Sequence, residues 1–212
     1  MSQILCSRCY HVFSNRSVYI IWLNSGTTPW QYDENGGFSQ YAFFEKHIRE
    51  GDWDAANRFI CSSPEAVTAK ISIFGSTALH IAIFEGHMNI VEELVKIMSE
   101  ENLKIKDADD YTVLGYCAKV GNIQMAKCII EKSQTLLRIK NGIYDLIPVV
   151  VALTFNPDGT EMARYLYSET PLEDLMPRNG INGAMFITRA IYSKAIGKNF
   201  RFNYIFLFIS LL

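Results

Sequence analysis

The chain lacks any hydrophobic run of the ~20 residues that a membrane-spanning helix requires. Its apolar ending, Tyr204 to Leu212, is nine residues long. A secretory leader is not visible either, because Val18 to Leu23 is only six apolar residues, so the sequon at Asn15-Arg16-Ser17 has no secretory route. Signatures of catalysis are missing. There is no GxSxG, no HExxH and no dinucleotide-binding glycine pattern, and Gly197-Lys198 lacks the glycine five residues earlier that a phosphate loop needs. These absences argue against an enzyme. No surplus of one charge exists: the net charge of -2 and pI near 6.1 give no overall pull toward nucleic acid. Acidic residues are nevertheless absent after Asp174, while Arg178, Arg189, Lys194, Lys198 and Arg201 follow. A basic segment with an aromatic and aliphatic end can rest on an anionic membrane surface.

Metal chemistry is excluded on similar grounds. Cys6 and Cys9 form a CxxC with His11 nearby, which is half of a zinc site, but no second ligand pair follows at suitable spacing. Asp107 and Asp109 open like a calcium loop, yet Thr112 stands where the sixth-position glycine belongs. No cofactor is expected. Five cysteines are an odd number, and Cys117 and Cys128 fall where a helix needs small apolar side chains, which points to a reducing compartment.

What is present is a period. Gly51, Gly86 and Gly121 stand 35 residues apart, with Asn156 in the next slot. Gly75 to Val95 (GSTALHIAIFEGHMNIVEELV) overlies Asp110 to Ile130 (DYTVLGYCAKVGNIQMAKCII) without a gap. Two short helical stretches around a glycine turn, repeated at this spacing, define an all-α helix-turn-helix solenoid in which each unit needs its neighbours to bury its apolar face. Helix pairs are expected near 41–60, 77–97, 112–131 and 147–167, and a further opening appears at NGAMFITRAI. The first pair lacks the Thr-x-Leu opening and reads as a capping unit, with Phe38, Tyr41, Phe43 and Phe44 covering the end of the stack. The fourth turn, Asn156 to Gly159, is two residues longer than the others.

Within a unit, Thr77 is placed to cap the helix beginning at Ala78. Gly86 and Gly121 end first helices cheaply, and Ile90, Val91, Leu94, Val95 and Met98 share one helical face. Leu79, Ala82, Leu94, Leu114, Cys117 and Ile129 are expected to be buried. His47 and His87 read as solvent-facing, and His80 as a residue that holds a turn rather than a catalyst.

The stretch Ser76 to His80 (STALH), then Ala82, Glu85 to His87 (EGH) and IVEELV, resembles the opening and second helix of the ankyrin repeat. The later units depart from it. Gly115 and Val150 take the slot of His80, and Val113 replaces the usual proline, so helix stability is at issue at Gly115, where glycine costs about 1 kcal/mol relative to alanine. The 35-residue spacing, LIPVVVALTF from Leu146 and ARYLYSETPLEDL from Ala163 are similar to plant ankyrin proteins of the PGG-domain group, over roughly residues 41 to 196. That likeness implies a membrane-tethered signalling or stress-response protein, in which case this chain is a product truncated before its transmembrane region.

Three segments follow: an irregular N-terminal arm over 1–40, an ankyrin repeat domain over 41–196, and a basic and apolar tail over 197–212. The expected function is a non-catalytic protein-binding module, cytoplasmic or at the cytosolic face of the plasma membrane, with a protein partner and no nucleic acid. The alternative is the cytosolic regulatory part of a membrane-anchored protein. The inter-repeat turns and the exposed ends of the first helices supply the candidate contacts: Lys70, Phe74, Phe84, Glu85, Asp107, Asp109, Tyr111, Lys119, Lys140 and Tyr144.

Overall fold

The computed structural model describes residues 11–14, 17–20, 39–155 and 160–192. The helices come in consecutive pairs: α1 (Ala42–Glu50) with α2 (Trp53–Ser62), α3 (Ala78–Glu85) with α4 (Met88–Ile97), α5 (Val113–Val120) with α6 (Ile123–Lys132), and α7 (Pro148–Phe155) with α8 (Thr160–Glu169). A last helix, α9 (Ile181–Tyr192), occupies the further opening seen in the sequence. The first helices α1, α3, α5, α7 and α9 pack on one another in order as one layer, and α4, α6 and α8 form a second. This is the expected all-α, ankyrin-type solenoid. A short antiparallel hairpin, β1 (His11–Ser14) with β2 (Ser17–Ile20), lies outside the repeats and pairs His11 with Ile20. The rest of the arm expected over 1–40, up to residue 38, lies outside the described residues. Cys6, Cys9, Phe38, the turn 156–159 and the tail beyond Tyr192 lie outside the described residues.

The first three helix pairs turn at a glycine with positive φ: Gly51, Gly86 and Gly121. Gly86 and Gly121 sit at φ 83° and 88°, a left-handed conformation that glycine adopts without strain, and their N–H groups close the first helix. The second helix starts at once, because Asp52 and Asn122 accept hydrogen bonds from Ala55 N and Met125 N at 3.0 and 3.1 Å.

Burial follows the layers. Helix α3 is buried at six consecutive positions, Ala78 to Ile83, because it is sandwiched between α1 and α5, whereas α4 buries Ile90, Val91, Leu94 and Val95 along one face. Leu79, Ala82, Leu94, Leu114, Cys117 and Ile129 are all fully buried, as the register requires. Burial also pushes the Cys117 thiol up, so it is an inert packing group. The apolar stretch Pro148 to Leu153 is buried in α7 between α5 and α9, which accounts for its composition by packing within the stack. At the N-terminal end Phe44 is buried and stacks on Phe59 with centroids 5.1 Å apart, but Phe43 is 61% exposed and meets only the ring of His47 among the described aromatic contacts. The two histidines read as solvent-facing are partly buried instead: His87 Nε2 lies 2.8 Å from the Arg49 carbonyl, and His47 packs edge-on against Phe43.

One capping task recurs in three successive units, performed once by histidine and twice by asparagine. In the second unit His80 Nδ1 accepts from Thr77 N and from the Thr77 hydroxyl, and Nε2 donates to the Tyr111 carbonyl at 3.1 Å. That carbonyl can only accept, which fixes the proton on Nε2. In the third unit the histidine slot holds Gly115. Here the side chain of Asn141 enters from the following turn: its Oδ1 accepts from Thr112 N and Oγ at 2.8 and 2.9 Å, and its Nδ2 donates to the carbonyls of Ile139 and Leu146. Thr112 Oγ in turn accepts from Gly115 N. At the next junction Asn182 accepts from Ile147 N and donates to the Asp145 carbonyl, both at 2.9 Å. Thr77, Thr112 and Ile147 share one slot of the period and Tyr111 and Leu146 another, so His80 and Asn141 perform the same linkage, while Asn182 makes the same cap but donates one slot earlier. The stability cost expected of Gly115 is therefore offset, because the missing side chain makes room for this cap.

Candidate partner-binding surface

Three turns project between the repeats: residues 70–76, 105–111 and 140–146. Each is a closed finger. Ile71 N bonds Ser76 O at 2.9 Å, Asp107 N bonds Tyr111 O at 3.0 Å, and Asn141 and Leu146 bond each other in both directions. The fingers are joined by Ala108 N to Phe74 O and Gly142 N to Asp110 O, each at 2.9 Å. Gly75, Asp110 and Asp145 share one slot and all have positive φ, of 64°, 65° and 55°. Aspartate tolerates this conformation better than most residues do. Side chains staple the first two fingers from inside. Ser72 Oγ accepts from Phe74 N and Ser76 N, and Asp107 Oδ1 accepts from Asp109 N and Tyr111 N.

That staple corrects two expected contacts: Asp107 and Tyr111, expected on the exposed surface, are buried, at 8% and 7% relative exposure. Asp107 is turned inward by its two backbone bonds, and burial raises its carboxyl above the usual range, opposed by the Tyr111 N–H. The Tyr111 hydroxyl lies 2.8 Å from where a Cβ on Gly142 would be, and its ring stands edge-on to Phe155 at 6.4 Å. Tyr111 is thus a packing residue between fingers and helices.

The other candidates stay accessible. Lys70 and Lys140 are exposed at the feet of their fingers, and Asp109 and Tyr144 are exposed at tips, Tyr144 at 64%. Phe74 is half-buried. Phe84 and Glu85 stand at the end of α3, Phe84 at 53% exposure, and Glu85 accepts from Arg49 at 2.7 Å while Arg49 also holds Glu45. Lys119 is half-buried, with Nζ 4.7 Å above the Tyr111 ring and 5.8 Å above Phe155.

Three residues join this surface without having been expected there: Tyr116, Val120 and Phe155. Tyr116 meets Phe84 at 6.4 Å and His80 at 6.0 Å, so that Phe84, Tyr116, Lys119 and Phe155 form a band across three repeats. The Tyr116 hydroxyl is pushed up to about 12 by burial and by the carboxylates of Asp107 and Asp109. The signal for Phe155 was available, since it is two periods after Glu85, with Val120 between them. Ile73 and Ile143, both exposed, share a tip slot with Ala108.

Among the described residues no group of histidine, cysteine or acidic side chains could hold a metal ion, and no helix is long and apolar enough to cross a membrane. The surface offers shape, aromatic area and charge, and these are attributes of a binding module. Residues 46–141 match the family described as ankyrin repeats (3 copies). An ankyrin repeat-containing protein of Schizosaccharomyces pombe is 31% identical over 99 residues, a segment covering 47% of this chain and 44% of that relative. Residues 46–141 are accordingly ankyrin repeats, which serve in general as protein-protein interaction modules.

Proposed function

We propose that the chain is a non-catalytic adaptor that binds a protein partner along its fingers and the exposed ends of its first helices. The observation that carries this reading is the exposure of Phe84, Val120, Phe155 and Tyr144 on a stack whose backbone is tied together from finger to finger. Such a surface loses little conformational freedom on binding, so its few aromatic side chains can supply most of the affinity. A signalling or stress-response setting rests on the sequence resemblance to the plant group, a cytoplasmic location on the cysteine usage, and attachment to a membrane on that resemblance and the basic, apolar C-terminal segment. The test is capture from native extract by the wild-type chain and by the double variant Phe84→Ala, Tyr144→Ala. Loss of specific partners with unchanged circular dichroism is the expected result; an identical set of partners would move the contact elsewhere.

A further inference from the structure

We propose that the segment bound across the fingers presents a positively charged side chain, bracketed by apolar ones, to Asp109 at the tip of the middle finger. This deepens the reading of the fingers as a protein-binding face and rests on it.

The register of the three tips sets the argument. Ile73 and Phe74 on the first finger and Ile143 and Tyr144 on the third are apolar or aromatic, and Ile73, Ile143 and Tyr144 are largely exposed. The middle finger carries Ala108 and Asp109 in the same two slots. Alanine is the shortest of the three residues at its slot, and it packs back onto Gly75 of the first finger. A carboxylate therefore stands in a notch between two apolar ridges.

The charges of the fingers are unequally compensated. Asp110 is paired with Lys106 at 2.7 Å, and the Asp107 oxygen is held by backbone N–H groups inside the turn. Glu85 is paired with Arg49, and Lys119 covers the rings of Tyr111 and Phe155. Asp109 takes part in no ion pair among the described residues, and Asp145, beside Tyr144, likewise has none. Of the finger cations among the described residues, Lys70 and Lys140 take part in no ion pair, and they stand at the feet of the outer fingers. A segment lying across the tips meets uncompensated negative charge at the centre and apolar side chains on both sides. A cation there gains Coulomb attraction and the flanking apolar residues gain area, whereas an acidic or wholly apolar centre leaves Asp109 desolvated and unpaired.

The experiment selects short random peptides displayed on phage against the full chain and against Asp109→Lys, then measures enriched peptides by fluorescence polarisation. The wild type should enrich peptides with arginine or lysine flanked by apolar residues, and Asp109→Lys should weaken them about tenfold. Replacing the peptide's basic residue by glutamate should restore binding to Asp109→Lys. Asp109→Asn, which removes charge without reversing it, should fall between. Among the described residues the Asp109 side chain takes part in no hydrogen bond or ion pair, so circular dichroism of both variants should match the wild type. Enriched peptides without a basic residue, or equal affinity for wild type and Asp109→Lys, overturn the assignment to Asp109 while leaving the face itself intact. Peptides that bind equally well to the Phe84→Ala, Tyr144→Ala variant, or no enrichment at all, overturn the binding face as well.

Discussion

Asn141 and Gly115 form a single helix cap built from two repeats: the side-chain oxygen of Asn141 fills the space that a Cβ on residue 115 would need. In the preceding unit one residue, His80, performs the whole task from within its own helix. The asparagine reaches the same N-cap amide and the same period-related carbonyl from the opposite direction. Glycine at 115 is consequently a steric requirement, and its low helix propensity is the cost of admitting the neighbour's side chain.

Gly115→Ala should displace Asn141 and leave Thr112 N and the Thr112 hydroxyl short of an acceptor. Losing such a buried bond costs about 1–3 kcal/mol, far more than the gain in helix propensity from alanine. Urea denaturation should show the loss. The double variant Gly115→His, Asn141→Ala should recover part of it, because histidine can then cap as His80 does. A midpoint unchanged by Gly115→Ala would mean that the asparagine does not hold this cap.

The period itself, the helix pairs and the buried leucines were legible because glycine, threonine and leucine recur at fixed slots. Exposure of the fingers was legible only in part. Tyr111 reads as a surface aromatic in a polar turn, yet its slot is filled by Leu146 in the next unit, and that aliphatic residue was the available sign of an inward-facing position. Asp107 shares its slot with Ser72, and both staple their finger by accepting backbone N–H bonds, a local arrangement that charge alone does not suggest. The Asn141 cap was hidden for a different reason. It lies off the repeat period relative to Gly115, so it becomes visible only once the following finger is folded against the helix.

Tyr111 and Tyr144 should separate cleanly. Tyr111→Ala removes a buried ring that contacts Phe155 and carries Lys119, and should destabilise the stack by about 3 kcal/mol or more, as large aromatic truncations do. Tyr144→Ala should leave the thermal midpoint within about 0.5 kcal/mol-equivalent of wild type, because its side chain is mostly in solvent. Thermal melts followed by circular dichroism measure both; equal effects would contradict the different burial of these two slots.

Leu79→Ala and Leu114→Ala remove equivalent, fully buried side chains from successive first helices. Each should cost ~2–5 kcal/mol through lost transfer free energy and the cavity left behind. Since α3 and α5 are packed on each other, the two changes share an interface, and their combined effect should depart from the sum of the single ones. Strict additivity in a double-mutant cycle would indicate that neighbouring repeats unfold independently.

Stability should fall as the solution is acidified, with His80 as a named contributor. Burial depresses this imidazole from 6.5 to about 4, against the opposing bond to the Tyr111 carbonyl and with help from Lys70. The folded chain therefore binds fewer protons than the unfolded chain between these values, and unfolding free energy must rise with pH across that interval. The contribution is complete above about 6.5 and is lost as pH drops toward about 4, amounting to about 3 kcal/mol if the shift is fully expressed. Asp107 acts with the opposite sign, because burial raises its carboxyl. Comparison with His80→Gln isolates the histidine: the variant should be less stable near neutrality and should show a shallower decline on acidification. Parallel declines in the two proteins, measured by urea denaturation at a series of pH values, would mean that His80 is not the group whose protonation opposes folding.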